Sequence, residues 1–458
     1  MGIKNRLVLM NFLQFFIWGS WLLTIGAYWF NNKHWSGTEF GIIFSTMGIS
    51  SVFMPALTGI ISDRFINAEK LYGLLHFFGA VALFYLPQVD NPTTFFWVML
   101  VNMFFYMPTI SLSITVAYNA LIAKDMDVVK DYPPIRIWGT IGFIVALWVV
   151  SLTHNETSAN QFYIAGIVSI LLGIYAFTLP KCPPMCKGEK GASFTQALGL
   201  NAFELFKQQK FAIFFIFSML LGAALQLTNA YGDTYIHDFG TVDAYKDIIN
   251  NFDSKLVLFQ NEVINASSFS KFFSTIQYYL SYDGISTYLA IKYPAIIMSI
   301  SQVSETLFIL AIPFFLRKFG IKYVMLFSML AWVLRFGLFA FGNPSDGLWM
   351  IIMSCIVYGM AFDFFNISGS LFVETQTDSK IRGSAQGMFM MMVNGFGALI
   401  GSFASGYIIQ KYFTMADGSK DWFHIWITFA TYALVLAIIF PFVFKDKFGP
   451  KVLGEINH

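Results

Sequence analysis

The chain has 458 residues, of which 57% are hydrophobic and only 12% are charged. Soluble domains carry about a quarter charged residues, so this composition excludes a soluble globular protein and indicates a protein of the lipid bilayer. The formal net charge of +2 is too small to suggest nucleic acid or an acidic partner.

Twelve apolar segments approach or exceed the roughly 20 residues that a helix needs to cross a bilayer. They lie near residues 7–30, 39–62, 71–88, 95–118, 135–153, 161–180, 211–235, 294–316, 322–342, 348–372, 384–411 and 422–444. Two groups of six helices around a polar linker are the layout of a major facilitator carrier, which binds its substrate between two halves. The sequence therefore predicts an all-α membrane protein with a half at 1–180, a cytoplasmic linker at 181–210 and a half at 211–458.

The distribution of basic residues predicts the orientation. Lys and Arg are more frequent in the segments on the side of the two termini, which favours cytoplasmic termini. The apolar run after Lys4 and Arg6 is too long for a signal-peptide core, so we interpret it as the first membrane helix. The large loop near 237–293 then lies in the periplasm, and its mixture of acidic and aromatic residues favours short amphipathic helices at the membrane surface.

The sequence offers no pattern typical of an enzyme or a metalloprotein. Cys182 and Cys186 flank a short Pro-containing turn, Cys355 is isolated, and His237 and the other five histidines form no cluster of metal-binding spacing. No nucleophile with a nearby base stands out, and no segment is long enough to form a soluble catalytic domain. We therefore predict no enzymatic activity, no cofactor and no metal.

Four of the predicted helices carry a short polar or aromatic strip in an apolar background. Residues three or four apart share one face of a helix. The strips are Arg136, Thr140 and Phe143; Gln226 and Asn229; Gln302 and Glu305; and Tyr358, Phe362 and Asn366, with Asp363 beside Phe362. Lone amides can simply join helices through hydrogen bonds, but ionisable residues within a bilayer usually face a cavity.

Strips on four helices predict one shared cavity, and their chemistry limits its ligand. Amides and a carboxylate bind hydroxyls and base edges, and the aromatic rings can stack on a flat ring. A neutral ligand with hydroxyls and an aromatic ring fits best, and another neutral polar solute such as a sugar is the alternative. Glu305, facing Arg136, is the candidate for proton coupling. Asp363 is its rival, unless it pairs internally with Arg335.

A tight charged turn follows the second predicted helix. Gly59 precedes Asp63 and Arg64 with the spacing Gly-x-x-x-Asp-Arg, which resembles a signature of the major facilitator superfamily. The resemblance implies that Asp63 and Arg64 pair with neighbouring helix ends and hold a cytoplasmic gate.

Longer blocks carry a more specific resemblance. The runs Phe12–Trp21, Pro133–Phe143, Ser299–Phe308 and Ala361–Gly369 resemble the bacterial nucleoside:proton symporters of the major facilitator superfamily. The resemblance implies proton-coupled uptake of purine and pyrimidine nucleosides across the inner membrane, with lipid as the surroundings and a monomer as the working unit. It places the family's binding residues on Arg136, Thr140, Phe143, Gln226, Asn229, Gln302, Glu305, Tyr358, Phe362 and Asp363. The long segment at 237–293 departs from the family pattern.

Overall fold

The protein is an all-helical bundle. The structure, a computed structural model, describes residues 2–184, 200–262, 274–275, 277–279, 282, 284–377 and 381–444. The main helices, in chain order, are α1 (Ile3–Gly19, continued by Ile25–Ala27 and Tyr28–Asn32), α2 (Gly37–Arg64), α3 (Ala68–Tyr85), α4 (Pro92–Ile122), α5 (Val128–Leu152), α6 (Asn160–Ala176), α7 (Gln209–Phe239), α8 (Pro294–Met298, continued by 300–319), α9 (321–341), α10 (Leu348–Gln376), α11 (Arg382–Met390 to Ile409–Phe413) and α12 (Trp422–Val443).

The predicted number of twelve membrane helices is confirmed. Within the described ranges, nine helical segments are long and apolar enough to span a bilayer. One of them, Pro294–Phe341, is 48 residues long and contains two helices, α8 and α9. Helices α1 and α6 have only 17 regular residues each, and α1 regains the missing length through its continuation to Asn32.

A single glycine separates α8 from α9. Gly320 has φ 77° and ψ 171°, in a region of backbone space that is open to glycine and costly for other residues. The chain therefore reverses at Gly320 without a loop, and α8 and α9 pack against their neighbours as separate spans.

Side-chain caps fix where several helices begin. Ser36 accepts a hydrogen bond from the Glu39 backbone N–H, and Glu39 accepts one from the Ser36 backbone in return. This capping box satisfies two backbone donors that the start of α2 leaves free. Asn91 and Asp421 cap α4 and α12 in the same way, through the N–H groups of Thr94 and His424.

The segment after α7 contains more regular structure than a loop. A helix of 20 residues, Asp243–Glu262, is followed by the helix Ile285–Lys292. Asp253 joins them, since it accepts a hydrogen bond of 2.7 Å from the Tyr288 hydroxyl and lies 3.3 Å from the Lys292 ammonium. Residues 263–273, within the predicted loop, lie outside the described residues.

The bundle has two ends. We call the end where α7 finishes the loop end, and the opposite end, where α1 begins, the terminus end. The linker predicted at 181–210 lies at the terminus end, but residues 185–199, including Cys186, are outside the described part, so the boundaries of the two halves stay predictions. Cys182 is buried there, and burial together with the Glu69 carboxylate raises the pKa of its thiol to about 12, which keeps it protonated and unreactive.

Candidate functional site

A cavity with a volume of about 210 Å³ lies between the first six and the last six helices. Its walls come from α1, α2 and α5 on one side and from α7, α8, α10 and α11 on the other. The lining residues are Phe15, Trp18, Leu22, Leu23, Met47, Arg136, Thr140, Phe143, Leu225, Gln226, Asn229, Gln302, Glu305, Tyr358, Phe362 and Asn394. An apolar lining with a few converging polar groups is the usual character of a small-molecule site.

The structure brings nine of the ten predicted binding residues to this one cavity. The exception is Asp363, which is 4% exposed and is not part of the lining. Consecutive residues of a helix point about 100° apart, so Asp363 is turned away while Phe362 faces the cavity. The direct contact of Asp363 with a ligand, as the sequence predicted it, is therefore not supported by this geometry.

Aromatic side chains of α1 and α5 form one wall. The ring of Trp18 lies 6.5 Å from that of Phe143 in an edge-on arrangement, 6.3 Å from Phe15 and 5.8 Å from Tyr106. Tyr106 is itself held by a hydrogen bond of 2.8 Å from its hydroxyl to the Gln14 carbonyl. Because each ring is braced by another, the wall is already ordered before any ligand arrives.

The facing wall comes from α10. Tyr358 and Phe362 stand one turn apart with parallel rings, and the guanidinium of Arg335 lies 4.7 Å from the ring centre of Tyr358. Arg335 is fully buried and donates a hydrogen bond of 2.6 Å to the Ser354 carbonyl. Among the described residues, no ion pair within 4.0 Å joins Arg335 to Asp363. Arg335 thus supports Tyr358 instead of neutralising Asp363, and the internal pair considered from the sequence does not form.

Several polar atoms in the cavity wall have no partner. The indole N–H of Trp18 and the side-chain oxygens of Gln226 and Gln302 are buried and make no hydrogen bond within the protein. Leaving a buried polar group unpaired costs about 1–3 kcal/mol, so such groups in a cavity indicate a ligand that pairs with them. One donor and two acceptors suit a ligand that has both hydroxyl or amino donors and acceptor atoms.

Two opposite charges line the cavity from opposite halves. The guanidinium of Arg136 is 4.0 Å from the ring centre of Phe15, on the side of α1 and α5. Glu305 extends from α8, and the part of the chain that the structure describes contains no ion pair within 4.0 Å between it and Arg136. The two groups attract each other across space that a ligand can occupy.

Sequence reasoning missed or misjudged some of the lining. Asn394 of α11 is not part of any strip that the sequence indicated, yet it is exposed and lines the cavity. Trp18 and Phe15 also line it, whereas Gln14 is buried in a network with Tyr72 and His76. The spacing of Gln14 and Trp18, four residues apart, places both on one face but does not distinguish the core from the cavity.

The two predicted gate residues lie at the terminus end of α2. Asp63 is exposed and Arg64 is partly buried in the last turn of the helix. Their role in a gate stays a prediction. Asn394 is exposed and lies nearer to the terminus end of α11 than to its loop end.

The loop end is closed by contacts between the two halves. Phe40 of α2 meets Tyr231 of α7 edge-on at 5.3 Å, and Phe30 stacks on the same tyrosine at 6.3 Å. The backbone N–H of Gly37 donates a hydrogen bond of 2.7 Å to the side chain of Gln410, and the Trp148 indole donates one of 3.0 Å to Ser299. The three rings form an aromatic plug above the ligand cavity.

A second and larger cavity, about 1,120 Å³, opens at the loop end beyond the plug. We call it the vestibule. Phe30 of the plug lines it, as do Asp238, Lys420 and Trp422, and it shares no lining residue with the ligand cavity. The Lys420 ammonium is 3.1 Å from the Asp238 carboxylate and 4.1 Å from the Phe30 ring centre. The plug therefore separates two spaces, as an alternating-access carrier requires.

The sequence predicted no cluster of metal-binding spacing around the histidines, but the structure places His237 beside two carboxylates. His237, at the end of α7, lies within ligand distance of Asp233 on the same helix and of Glu156, which precedes α6. Asp233 and His237 are four apart on α7, but Glu156 is distant in sequence, and only the packing of the two halves brings it to them. The sequence around Glu156 contains no local pattern that predicts its contact with Asp233 and His237.

The comparisons with known proteins show similarity over nearly the whole chain. A family described as "Nucleoside H+ symporter" matches residues 1–448. A xanthosine permease of Escherichia coli K12 is 48% identical over 459 residues, covering 100% of this chain and 99% of the relative. The nucleoside permease NupG of the same organism is 46% identical and covers 98% and 97% of the two chains.

Solved structures lead to the same family. A crystal structure of the nucleoside transporter NupG superimposes with a TM-score of 0.83 at 46% identity, over 98% of this chain and 100% of that one. A crystal structure of a NupG mutant gives a TM-score of 0.85 over 97% of this chain. With nearly full coverage of sequence and fold, and with the polar cavity between its halves, this chain belongs to the nucleoside H+ symporter family.

Proposed function

We propose that this protein takes up nucleosides together with protons by alternating access. The observation that supports this most directly is the ligand cavity, where aromatic rings from both halves face each other among unpartnered hydrogen-bonding groups. Membership of a family of nucleoside H+ symporters points to the same substrate class, and so do the names of two relatives that cover nearly the whole chain, a xanthosine permease and a nucleoside permease.

The nucleobase and the ribose require different groups. The base stacks against the rings of Phe143 and Phe362, which lie on opposite walls, because the face of any base packs well on an aromatic ring. Gln226, Gln302 and Asn229 bind ribose hydroxyls and base edges, and the indole of Trp18 donates to an acceptor atom of the substrate. We expect these contacts to accept both purine and pyrimidine nucleosides, since stacking is tolerant of the base.

Glu305 carries the coupled proton in this mechanism. It takes up a proton when the cavity faces the periplasm and releases it when the cavity faces the cytoplasm. Arg136, on the opposite wall, favours the charged form of Glu305 by Coulomb attraction, and burial favours the neutral form. Substrate binding alters the space between the two groups and thereby the balance between these opposing effects. Asp363 is buried behind the wall and affects the same balance from a distance.

The orientation and the surroundings follow from the charge bias. With both termini in the cytoplasm of a bacterium, the loop end faces the periplasm and the protein lies in the inner membrane as a multi-pass protein. The closed loop end then corresponds to a carrier whose cavity is shut off from the periplasm. Each monomer contains a complete cavity, so we propose the monomer as the working unit. The role is transport, with no enzymatic step.

The deciding experiment is uptake of labelled uridine into proteoliposomes with and without an inward proton gradient. We expect concentrative uptake only with the gradient, and competition by unlabelled nucleosides but not by maltose or glucose. Accumulation that persists after the gradient is collapsed would exclude proton coupling. Competition by sugars alone would replace the substrate class with the sugar alternative.

A further inference from the structure

We propose that Glu156, Asp233 and His237 form a binding site for one divalent transition-metal ion of the zinc class, and that the bound ion holds the loop end closed. The site is separate from the ligand cavity, because none of the three residues lines it. A carboxylate, a second carboxylate and an imidazole are ligands that zinc commonly takes in proteins.

The ligand atoms already converge. Nε2 of His237 lies 2.6 Å from a carboxylate oxygen of Glu156 and 3.6 Å from one of Asp233, and all the ligand atoms lie within 4.8 Å of one another. Ligands around a tetrahedral zinc ion, with bonds of about 2.0–2.2 Å, are separated by roughly 3.4 Å. Small rotations of the side chains, without movement of the helices, bring the three atoms to that spacing.

Unpartnered carboxylate oxygens are a second observation that points to a cation ligand. Asp233 is 1% exposed and neither of its carboxylate oxygens has a hydrogen-bond partner, and one oxygen of Glu156, 4% exposed, is also without a partner. Buried carboxylates are normally hydrogen-bonded, paired or coordinated to a metal. These atoms therefore constitute evidence for a ligand beyond the clustering itself.

The balance of charge suits a divalent ion. Two carboxylates with a protonated histidine keep one negative charge in a buried place, and the described residues contain no Lys or Arg within 4.0 Å of either carboxylate. Lys420, a basic residue of the loop end, is paired with Asp238. A divalent cation with a neutral imidazole makes the same cluster electrically neutral, which lowers the cost of burying it.

The surroundings hold Glu156 in place and leave an entry for the ion. The buried amide of Gln161 donates a hydrogen bond of 3.1 Å to the Glu156 carbonyl and accepts one of 2.9 Å from Thr24 of α1. The side chain of His237 is 14% exposed, while those of Glu156 and Asp233 are 6% and 0% exposed. An ion arriving from the loop end meets the histidine first.

The position of the site gives the metal an effect on transport. Glu156 belongs to the first six helices and Asp233 and His237 to the last six, so opening of the loop end must separate them. An ion that binds all three residues binds only the closed state and shifts the population towards it. This consequence rests on the proposed transport function, whereas binding of the metal does not.

The test uses the full-length protein in detergent, purified without a polyhistidine tag. Zn²⁺ affinity is measured by competition with a chromophoric chelator, for the unmodified protein and for Glu156→Gln, Asp233→Asn and His237→Ala. We expect one tight site in the unmodified protein and an affinity at least about tenfold weaker in each variant, as expected when a metal ligand is removed. His424→Ala is the matched control, because His424 is an exposed histidine paired only with Asp421, and its loss should leave the tight site intact.

Glu156→His separates a metal site from a simple ion-pair contact. It restores a metal ligand but removes the carboxylate that His237 contacts, so we expect it to keep tight Zn²⁺ binding. Zn²⁺ should also slow uridine uptake by the unmodified protein and by His424→Ala but not by Glu156→Gln. Equal Zn²⁺ affinity in the unmodified protein and in all three single variants would overturn the proposal, and the cluster would then act only as a hydrogen-bonded contact. A variant of the cluster that has lost tight Zn²⁺ binding but takes up uridine normally would leave the proposed transport function intact.

Discussion

Tyr358 and Phe362 hold their rings parallel on one face of α10, with planes 4° apart and ring centres 5.7 Å apart. Tyr358 is buried against Arg335 and Trp332, while Phe362 is partly exposed to the ligand cavity. The pair therefore offers a flat, rigid surface whose outer face is open. A nucleobase can extend this stack without any rearrangement of the wall.

Removal of the outer ring should weaken nucleoside binding selectively. We expect Phe362→Ala to raise the apparent Kd for uridine by roughly 5- to 150-fold, the equivalent of about 1–3 kcal/mol for one stacked base. The measurement is substrate binding by scintillation proximity or calorimetry on the purified carrier. Phe442→Ala is the matched control, because Phe442 is 75% exposed at the bundle surface and lies far along α12. Unchanged affinity in Phe362→Ala would mean that the base binds elsewhere.

Neutralisation of Glu305 should uncouple transport from protons without abolishing substrate binding. In Glu305→Gln the amide keeps a hydrogen-bonding side chain of the same size but exchanges no proton. We expect concentrative uptake to be lost and exchange of labelled for unlabelled uridine across the membrane to persist. Exchange does not require a net change in protonation, so it reports binding and conformational change alone.

The control for Glu305→Gln is Glu374→Gln. Glu374 is a surface carboxylate near the terminus end of α10 and is paired with Arg382 at 2.9 Å. We expect normal coupled uptake in that variant. Coupled uptake by Glu305→Gln itself would move the proton site to another carboxylate, and Asp363→Asn would then be the variant to examine.

The helices and most of the cavity were predictable from the sequence, because apolar length and helical spacing are local properties. The strips of Arg136 and Gln302 are typical: three- and four-residue spacing places each strip on one face, and the cost of burying polar groups in lipid turns that face inward. The rotation of a helix about its own axis, by contrast, depends on tertiary packing and not on the local sequence. Asp363 follows Phe362 directly, yet packing turns it out of the cavity.

Contacts between segments that are distant in sequence could not be predicted from apolar length and helical spacing. Glu156 and His237 are 81 positions apart and meet only because the two halves close at the loop end. The reversal at Gly320, by contrast, lies between the predicted segments 294–316 and 322–342, and the positive φ of this glycine marks where one helix ends and the next begins. Tertiary packing decides the contact between Glu156 and His237, and a single sequence does not reveal that packing.

The unpartnered amide of Gln226 should make the empty carrier less stable than it could be. We expect Gln226→Met, which fills the same space without a buried polar oxygen, to raise the melting temperature of the substrate-free protein, since an unpaired buried group costs about 1–3 kcal/mol. The same variant should bind uridine more weakly, because the hydrogen bond that the substrate supplies is lost. Thermal unfolding with and without uridine measures both effects.

Gln88→Met is the control for the Gln226→Met substitution. Gln88 lies at the loop end of the N-terminal half, outside the ligand cavity, and its amide already donates to the Phe84 carbonyl. We expect no gain in stability from that variant and no change in uridine binding. A Gln226→Met protein that is both less stable and normal in binding would show that the amide has a structural role instead.

Close approach of two glycines should be necessary for the loop end to close. A Cβ atom on Gly41 of α2 would lie 2.3 Å from the Ser402 carbonyl oxygen and 2.9 Å from the Cα of Gly406 on α11. Both distances are below normal contact, and the obstacles are backbone atoms that cannot move aside alone. Gly41→Ala should therefore separate α2 from α11 and favour the state in which the loop end is open.

Accessibility of an engineered cysteine reports this shift. Tyr231→Cys places a thiol in the aromatic plug, where the closed loop end buries it, and we expect maleimide to label it several-fold faster when Gly41→Ala is added. Gly387→Ala is the matched control, since a Cβ there meets nothing within 4 Å and any gain in helix propensity is shared. Native Cys182 adds little background, because its raised pKa keeps the thiol protonated at neutral pH. Equal labelling in the Gly41→Ala and Gly387→Ala backgrounds would show that α2 and α11 do not need this approach to seal the loop end.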